Sequence, residues 1–206
     1  MENLNPKDKR RNINKMDIID AAERLFFSKG YNNSTMDEVA KESGFTKRTL
    51  YSYFASKEEI YEKIKERGYL ILNDLFLEEL EKEKNSSEIL KIKSMGYSFL
   101  KFEREYRGYF RSIFESEGYM VECELLEQTT LDMLQTCIKE GVKKGEITDK
   151  IDCVSISLIL WSVLMGFVNT FSRKEEYIKS HFKKDIREVT ENGFNFILNS
   201  IKKEKV

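Results

Sequence analysis

Residues 35–54 read TMDEVAKESGFTKRTLYSYF, with a helix-start signal on each side of a glycine-containing turn. The stretch opens at Thr35 with a Thr-x-x-Glu sequence, in which the hydroxyl and the carboxylate satisfy free amides at a helix start. The first helix should end at Gly44, because glycine readily takes the left-handed conformation that a tight turn requires. Thr46 can cap a second helix that runs to about Phe54. The stretch therefore predicts a helix-turn-helix.

Helical signals continue on both sides of this unit. Apolar residues recur at three- and four-residue steps from near Asn14 to Lys29, where Gly30 follows as a stop signal. A further helix should begin at Ser56, which opens a Ser-x-x-Glu sequence. Turn-forming residues divide the remainder into predicted helices near 64–83, 87–103, 105–117, 121–144, 151–172 and 184–202.

Composition supports an all-α fold. The chain has 206 residues, 40% apolar and 34% charged, with a single proline, Pro6. Strand-like runs with alternating β-branched residues are missing. The length exceeds that of a minimal DNA-binding module. We expect residues 1–63 to form a three-helix helix-turn-helix domain with a basic N-terminal arm, followed by a larger helical domain over residues 64–206.

The cysteines and the N-terminus favour a cytoplasmic protein. Cys123, Cys137 and Cys153 are widely spaced, which fits neither a metal site nor a disulfide framework. The polar N-terminus lacks the apolar core of a secretory signal. Residues 153–172 are uncharged and about long enough to span a bilayer, but their Ser, Asn and Thr content favours a helix buried in a helical domain. No membrane association is expected.

Charge is distributed unevenly along the chain. The formal net charge is −1, so no global field attracts the protein to nucleic acid, and any such attraction must be local. Residues 7–15 hold five basic side chains against one acidic one. This segment is either a solvated, disordered tail or an arm that contacts DNA.

The predicted second helix of the helix-turn-helix has two different faces. At 100° per residue, Leu50 and Phe54 fall on one side and can pack against the preceding helix. The opposite side carries cations and hydroxyls that suit phosphates and base edges: Lys47, Arg48, Tyr51 and Ser52. Taken singly, each is better explained as an ordinary surface residue or a helix-packing aromatic. Lys57, at the start of the next helix, can add a phosphate contact.

Residues 18–64 carry a family resemblance. They read IIDAAERLFFSKGYNNSTMDEVAKESGFTKRTLYSYFASKEEIYEKI. The motifs AAERLFFSKGY, TMDEVAKESG and TLYSYF followed by SKEE resemble the N-terminal domain of the tetracycline-repressor (TetR) family. The resemblance implies DNA contacts from Thr35, Thr46, Lys47, Thr49, Tyr51, Ser52, Tyr53 and Lys57. Two residues depart from the family pattern: Arg48 replaces a small residue and Ser52 a longer one. Arg48 would then add a base contact, and the arm at 7–15 would follow the DNA backbone or enter the minor groove.

The same resemblance implies that the larger domain dimerises and binds a small molecule. A homodimer would place two recognition helices on a near-palindromic double-stranded DNA operator. Large side chains on the middle helices are the candidates for an effector pocket, although core packing should account for most of them. The candidates are Phe99, Phe102, Tyr106, Tyr109, Phe110, Phe114, Trp161 and Met165, with Glu103, Glu115 and Glu117 nearby.

The predicted function is a ligand-responsive transcriptional regulator, a repressor released from its operator by an unidentified small molecule. The alternative is a TetR-like DNA-binding or protein-interaction factor without an effector. An enzyme is not expected, because the single histidine, His181, has no nucleophile, metal or phosphate-loop motif beside it. No cofactor or metal is expected.

Overall fold

The computed structural model describes residues 6–115 and 124–204. Within these ranges the backbone is helical without a named strand, which confirms the all-α fold; one isolated bridge joins Ile147 and Lys202. The helices in chain order are α1 (Pro6–Lys29), α2 (Met36–Ser43), α3 (Lys47–Tyr53), α4 (Lys57–Lys82), α5 (Glu88–Glu105), α6 (Arg107–Phe114), α7 (Glu124–Lys143), α8 (Cys153–Phe182) and α9 (Ile186–Ser200).

The chain forms two compact units. The first comprises Met1–Gly68 with Gly108–Cys123, and the second comprises Tyr69–Arg107 with Glu124–Val206. The division expected after residue 63 stays a prediction. Backbone contacts change from the first unit to the second within α4, and they group α6 from Gly108 onward with the first unit. The stretch from 57 to 82 contains one glycine and no proline, so nothing in it ends the helix.

The first unit is built around one apolar cluster. Helices α1, α2, α3 and the start of α4 all contribute to it, and its largest fully buried side chains are aliphatic or aromatic. The cluster comprises Ile18, Ile19, Ala22, Phe26, Val39, Ala40, Leu50, Phe54, Ile60 and Ile64. Burying such side chains contributes about 1.5–3 kcal/mol each for the larger ones, so this cluster holds the short helices in place.

In the second unit, α5 is the central helix. It contacts α7, α8 and α9, and α8 also contacts both α7 and α9. The α5 residues Met95, Phe99 and Phe102 are buried in this core. Gly96 lies so close to α9 that an added Cβ would stand 3.0 Å from the Phe194 ring.

Helix α1 begins earlier than the sequence pattern indicates. We expected it near Asn14, whereas it starts at Pro6, so the described part of the basic segment is helical and not an extended arm. Residues 6–13 lack an apolar period, which is why the pattern misses them. Two local signals do favour a helix there, a proline at the first helical position and Asp8 in the first turn.

Helix α8 differs from expectation in length and in burial. It continues to Phe182 through the predicted loop at 173–184, with non-helical dihedral angles at Lys174. In the described ranges, only Cys153–Phe171 is long and apolar enough to cross a membrane, with mean hydropathy 1.8, and 22% of it is buried. A single helix of this kind is weak evidence for a span. The expected burial within the chain is therefore incomplete.

Candidate nucleic-acid interface

The start of α2 has the predicted cap. The Thr35 hydroxyl accepts a hydrogen bond from the Glu38 amide at 3.3 Å, and the Glu38 carboxylate accepts one from the Thr35 amide at 2.9 Å. At the other end Gly44 has φ +73°, the left-handed conformation that the turn requires. Thr35 is thus exposed but already engaged in holding the helix start.

The inward face of α3 is as predicted. Leu50 and Phe54 are 0% and 1% exposed and belong to the same cluster as Val39 and Ala40 of α2. Phe45, in the turn, packs against that cluster. The opposite face of α3 is therefore left to solvent.

Lys47 and Arg48 both lie on the solvent face. The Lys47 ammonium forms an ion pair with Asp37 of α2 at 2.7 Å, and this hydrogen bond raises the pKa of Lys47. Among the described residues, no hydrogen bond or ion pair engages the Arg48 guanidinium. To contact a phosphate or a base, the Lys47 ammonium must leave the Asp37 carboxylate. Arg48 can contact DNA without breaking such a bond.

The hydroxyl groups of α3 differ in availability. The Tyr51 side chain is 46% exposed, which leaves its hydroxyl accessible. Ser52 donates to the Thr49 carbonyl at 2.6 Å. The Thr46 hydroxyl caps α3 by accepting from the Thr49 amide at 3.2 Å, and the two threonine hydroxyls lie 2.9 Å apart. Among Thr46, Thr49, Tyr51 and Ser52, only Tyr51 has a hydroxyl that no other described residue engages in a hydrogen bond.

Tyr53 connects α3 to the basic start of α1. Its hydroxyl accepts a hydrogen bond from the Asn14 side chain at 2.8 Å, and the Arg11 guanidinium carbon lies 5.9 Å from its ring centroid. Lys15 lies 5.5 Å from the ring centroid of Phe54. Sequence reasoning missed these contacts, which place Arg11 and Lys15 beside the C-terminal end of α3.

Lys57 has a different environment from the one expected of a phosphate ligand. Its ammonium donates to the main-chain carbonyls of Tyr31 and Ser34, each at 2.9 Å. Two of its three N–H donors are thereby used within the chain.

The predicted effector-binding residues are divided between the two units, with Tyr109 and Phe110 in the first and Phe102, Tyr106, Trp161 and Met165 in the second. Phe102 and Phe110 are 0% and 1% exposed. Tyr106 stacks on Phe102 with ring centroids 5.8 Å apart. Met165 and Trp161 of α8 are half-buried, and Trp161 meets Phe99 edge to face at 5.3 Å.

Of the remaining candidates, Phe114 packs on Phe110 with ring centroids 5.0 Å apart, Glu103 is half-buried and Glu115 is exposed. Glu117 lies outside the described residues.

Three cavities are lined by described residues. In the second unit an open groove of about 1210 Å³ runs between α5, α8 and α9, with Leu100, Phe167 and Phe171 among its walls. A smaller apolar cavity of about 40 Å³ lies near Phe194. A third, of about 320 Å³, lies in the first unit beside Tyr61. None of the eight aromatic and methionine candidates lines these three cavities, whereas Glu103 lines the open groove and Glu115 lines the cavity in the first unit.

Tyr109 belongs to a polar network of the first unit. Its hydroxyl donates to the Glu23 carboxylate at 2.6 Å, and burial with this carboxylate raises the pKa of Tyr109. The Arg67 guanidinium lies 3.1 Å from the same Glu23 oxygen atom. A Cβ on Gly108 would stand 2.3 Å from the Phe27 ring, so α6 approaches α1 very closely. Tyr109 therefore joins α6 to α1 and α4.

A family comparison covers the helix-turn-helix. Residues 18–64 match the family model described as bacterial regulatory proteins of the tetR family. The match includes α2 and α3 with the turn between them and extends from within α1 into α4.

Similar proteins extend the comparison beyond this domain. The negative transcriptional regulator IcaR of the Staphylococcus aureus biofilm operon is 28% identical over 173 residues, which cover 82% of this chain and 92% of IcaR. The uncharacterized transcriptional regulator YfiR of Bacillus subtilis is 42% identical over 62 residues, 30% of this chain and 28% of YfiR. These relatives are transcriptional regulators, a non-enzymatic role.

A solved structure supports the fold over nearly the whole chain. The Bacillus subtilis transcriptional regulator FadR, in complex with stearoyl-CoA, superimposes with a TM-score of 0.69 at 20% identity, covering 90% of this chain and 98% of that one. At this identity the similarity establishes the fold alone.

The Tyr109 network leads to a stability prediction. Tyr109→Phe keeps the ring against Phe27 but removes the donor to Glu23, and a hydrogen bond to a charged group contributes about 1.5 kcal/mol or more. The free energy of unfolding in urea should fall by about that amount. Tyr106→Phe is the matched control, because no described residue bonds its hydroxyl, and it should change stability by less than about 0.5 kcal/mol. Equal losses in both variants would contradict the prediction.

Proposed function

We propose, because this chain belongs to the tetR family of transcriptional regulators, that it is a cytoplasmic repressor which binds operator DNA as a homodimer and is released by a small molecule. The observation that carries the DNA-binding part is the face of α3. Leu50 and Phe54 are buried, so the same helix turns Lys47, Arg48 and Tyr51 outward together. Bacterial regulators of this family are soluble DNA-binding proteins.

In the proposed complex α3 lies in the major groove. Arg48 is the candidate for base readout, because an arginine can bond guanine N7 and O6 and this one has no competing partner among the described residues. Tyr51 and Lys47 contact phosphate or base, and Thr35, Thr46, Thr49, Ser52 and Tyr53 border the same surface. Arg11 and Lys15 extend the positive surface. Because they belong to helix α1 and not to an extended arm, we expect them to contact the phosphate backbone of the DNA and not to enter the minor groove.

The proposed dimer interface lies on α8 and α9. Val154, Leu158 and Ile159 are 53%, 58% and 42% exposed and fall on one side of α8, while Phe196 of α9 is 78% exposed. Ser162 and Gly166 continue the exposed side of α8 without bulky atoms. A second copy that covered this apolar face would explain why a helix long enough to span a bilayer is so little buried within the chain.

The proposed effector is an amphipathic small molecule. FadR binds stearoyl-CoA in its solved structure, and its fold covers nearly all of this chain, which supports an amphipathic small molecule as the first class to test. The site would lie in the second unit, either in the groove beside Phe167 and Phe171 or between helices that part around Phe102, Trp161 and Met165.

A second candidate function is favoured by the packing of those predicted residues. Phe102 and Phe110 are fully buried, and neither lines a described cavity. A DNA-binding factor that needs no effector would have such a filled interior. The two candidates differ only in whether a small molecule changes operator affinity.

Operator binding is tested with the double variant Lys47→Ala, Tyr51→Ala, after the bound sequence is selected from random DNA by the purified protein. The variant should fold and lose specific binding in a gel-shift titration. A wild-type dimer making about 6–10 phosphate contacts should lose about three to five decades of affinity between 50 and 200 mM salt. Lys84→Ala removes an exposed cation of the second unit outside α8 and α9 and should bind normally. Unchanged binding by the α3 variant would overturn the assignment.

The dimer interface is tested by a buried charge. Leu158→Glu places a carboxylate on the exposed apolar face of α8, where an unpaired buried charge costs several kcal/mol. Sedimentation should show that this variant is a monomer, and a gel-shift titration should show weaker operator binding. Leu77→Glu is the control, since Leu77 is 52% exposed on α4, close to the 58% of Leu158, and it should leave the dimer intact. A persistent Leu158→Glu dimer would place the interface elsewhere.

Effector control can be followed through Trp161, the chain's single tryptophan. We expect an amphipathic effector, with stearoyl-CoA as the first of a panel, to change Trp161 fluorescence and to dissociate the operator complex over the same concentration range. Trp161→Phe checks the origin of the signal. An operator complex indifferent to the whole panel would favour the effector-independent candidate.

A further inference from the structure

Lys57 occupies an unfavourable position for a cation unless the chain supplies negative partners. It is the first residue of α4, and the N-terminus of a helix carries a partial positive charge. Its ammonium donates to the carbonyls of Tyr31 and Ser34, both at 2.9 Å, and lies 4.1 Å from the Tyr31 ring centroid. The carbonyl dipoles and the ring face together stabilise the charge.

The segment that Lys57 holds, residues 31–34, is itself firmly packed. Tyr31 stacks on Tyr61 of α4 with ring centroids 4.3 Å apart and meets Phe26 of α1 edge to face at 5.5 Å. Ser34 is 3% exposed and donates to the Gly30 carbonyl at 2.8 Å. Residues 31–34 are therefore fixed against both α1 and α4, and Lys57 supplies two of the bonds.

The charges around Lys57 disfavour a phosphate at the same place. Glu58 and Glu59 follow in the first turn of α4, and both are exposed. Glu58 accepts a hydrogen bond from the Tyr31 hydroxyl at 2.9 Å, and Glu59 accepts one from the Ala55 amide at 2.7 Å. A phosphate that approached this turn would meet the two carboxylates and a lysine that already donates two of its three N–H groups to main-chain carbonyls.

We propose that Lys57 is a positioning residue that fixes residues 31–34 and thereby the start of α2, in place of the phosphate contact that the family resemblance implies. This inference rests on the proposed DNA-binding function. Thr35, the cap of α2, follows Ser34 directly, and α3 packs on α2 through Leu50. A shift of residues 31–34 therefore displaces the whole helix-turn-helix from its support on α1 and α4.

The salt dependence of operator affinity distinguishes the two roles. If each Lys57 in a dimer neutralised a phosphate, Lys57→Met would lower the slope of log K against log salt by about 1.8 in magnitude. A positioning role predicts an unchanged slope with about tenfold weaker binding at every salt concentration, since the loss of two bonds lowers the population of the binding-competent arrangement. A slope reduced by nearly two would overturn the inference while leaving the DNA-binding function intact.

Lys57→Arg provides a second test if Lys57→Met folds poorly. It keeps the charge, so a phosphate contact predicts nearly normal affinity. A positioning role predicts weaker binding, because the larger, planar guanidinium holds its donors in a fixed fork that differs from the geometry of the ammonium. Normal operator affinity in Lys57→Arg would contradict the inference.

Two further variants serve as matched comparisons. Lys47→Met removes an exposed cation from α3 and should lower the salt slope. Tyr31→Leu removes the ring that faces the Lys57 ammonium, and it should weaken operator binding without changing the salt slope. Combined with Lys57→Met, it should cost less than the sum of the two single changes, because both variants lose the cation–ring contact. Amide hydrogen exchange over residues 31–36 should accelerate in Lys57→Met. A wild-type protein that selected no DNA sequence would instead refute the proposed function.

Discussion

Helix α3 cannot hold its shape alone, and the arrangement of the first unit follows from that constraint. It has seven residues, and isolated helices shorter than about 12–15 residues are marginal in water. Its stability comes from burying Leu50 and Phe54 in a cluster shared with α1, α2 and α4. The outward direction of Lys47, Arg48 and Tyr51 is thus a consequence of which residues face inward.

Local features of this unit could be predicted because their determinants lie within a few residues of each other. The Thr35 cap, the left-handed Gly44 and the Thr46 cap each depend on side chains or backbone three or four positions apart. The same holds for the inward face of α3, since helical periodicity places Leu50 and Phe54 together. Helix type and the faces of short helices are therefore available from sequence.

Tertiary partners could not be predicted in the same way. The bonds from Asn14 to Tyr53 and from Lys57 to the carbonyl of Tyr31 join residues far apart in the chain, and depend on how helices approach. In the second unit, the helical period that would place Phe102 in a pocket also places it in a core, and the structure buries it fully. Tyr109 shows a similar ambiguity, resolved by its bond to Glu23.

The apolar helix α8 shows how burial changes the meaning of a hydrophobic run. Its composition alone is compatible with a span, a core helix or an interface, but 22% burial with half-exposed Val154 and Leu158 shows that the described residues do not enclose it as a core helix. A second copy also meets a geometric need of the proposed function. At about 1.5 Å per residue α3 is only about 10 Å long, whereas half-sites of a palindrome lie about 34 Å apart, so one recognition helix cannot read both. The exposed face of α8 and the shortness of α3 thus call for the same partner.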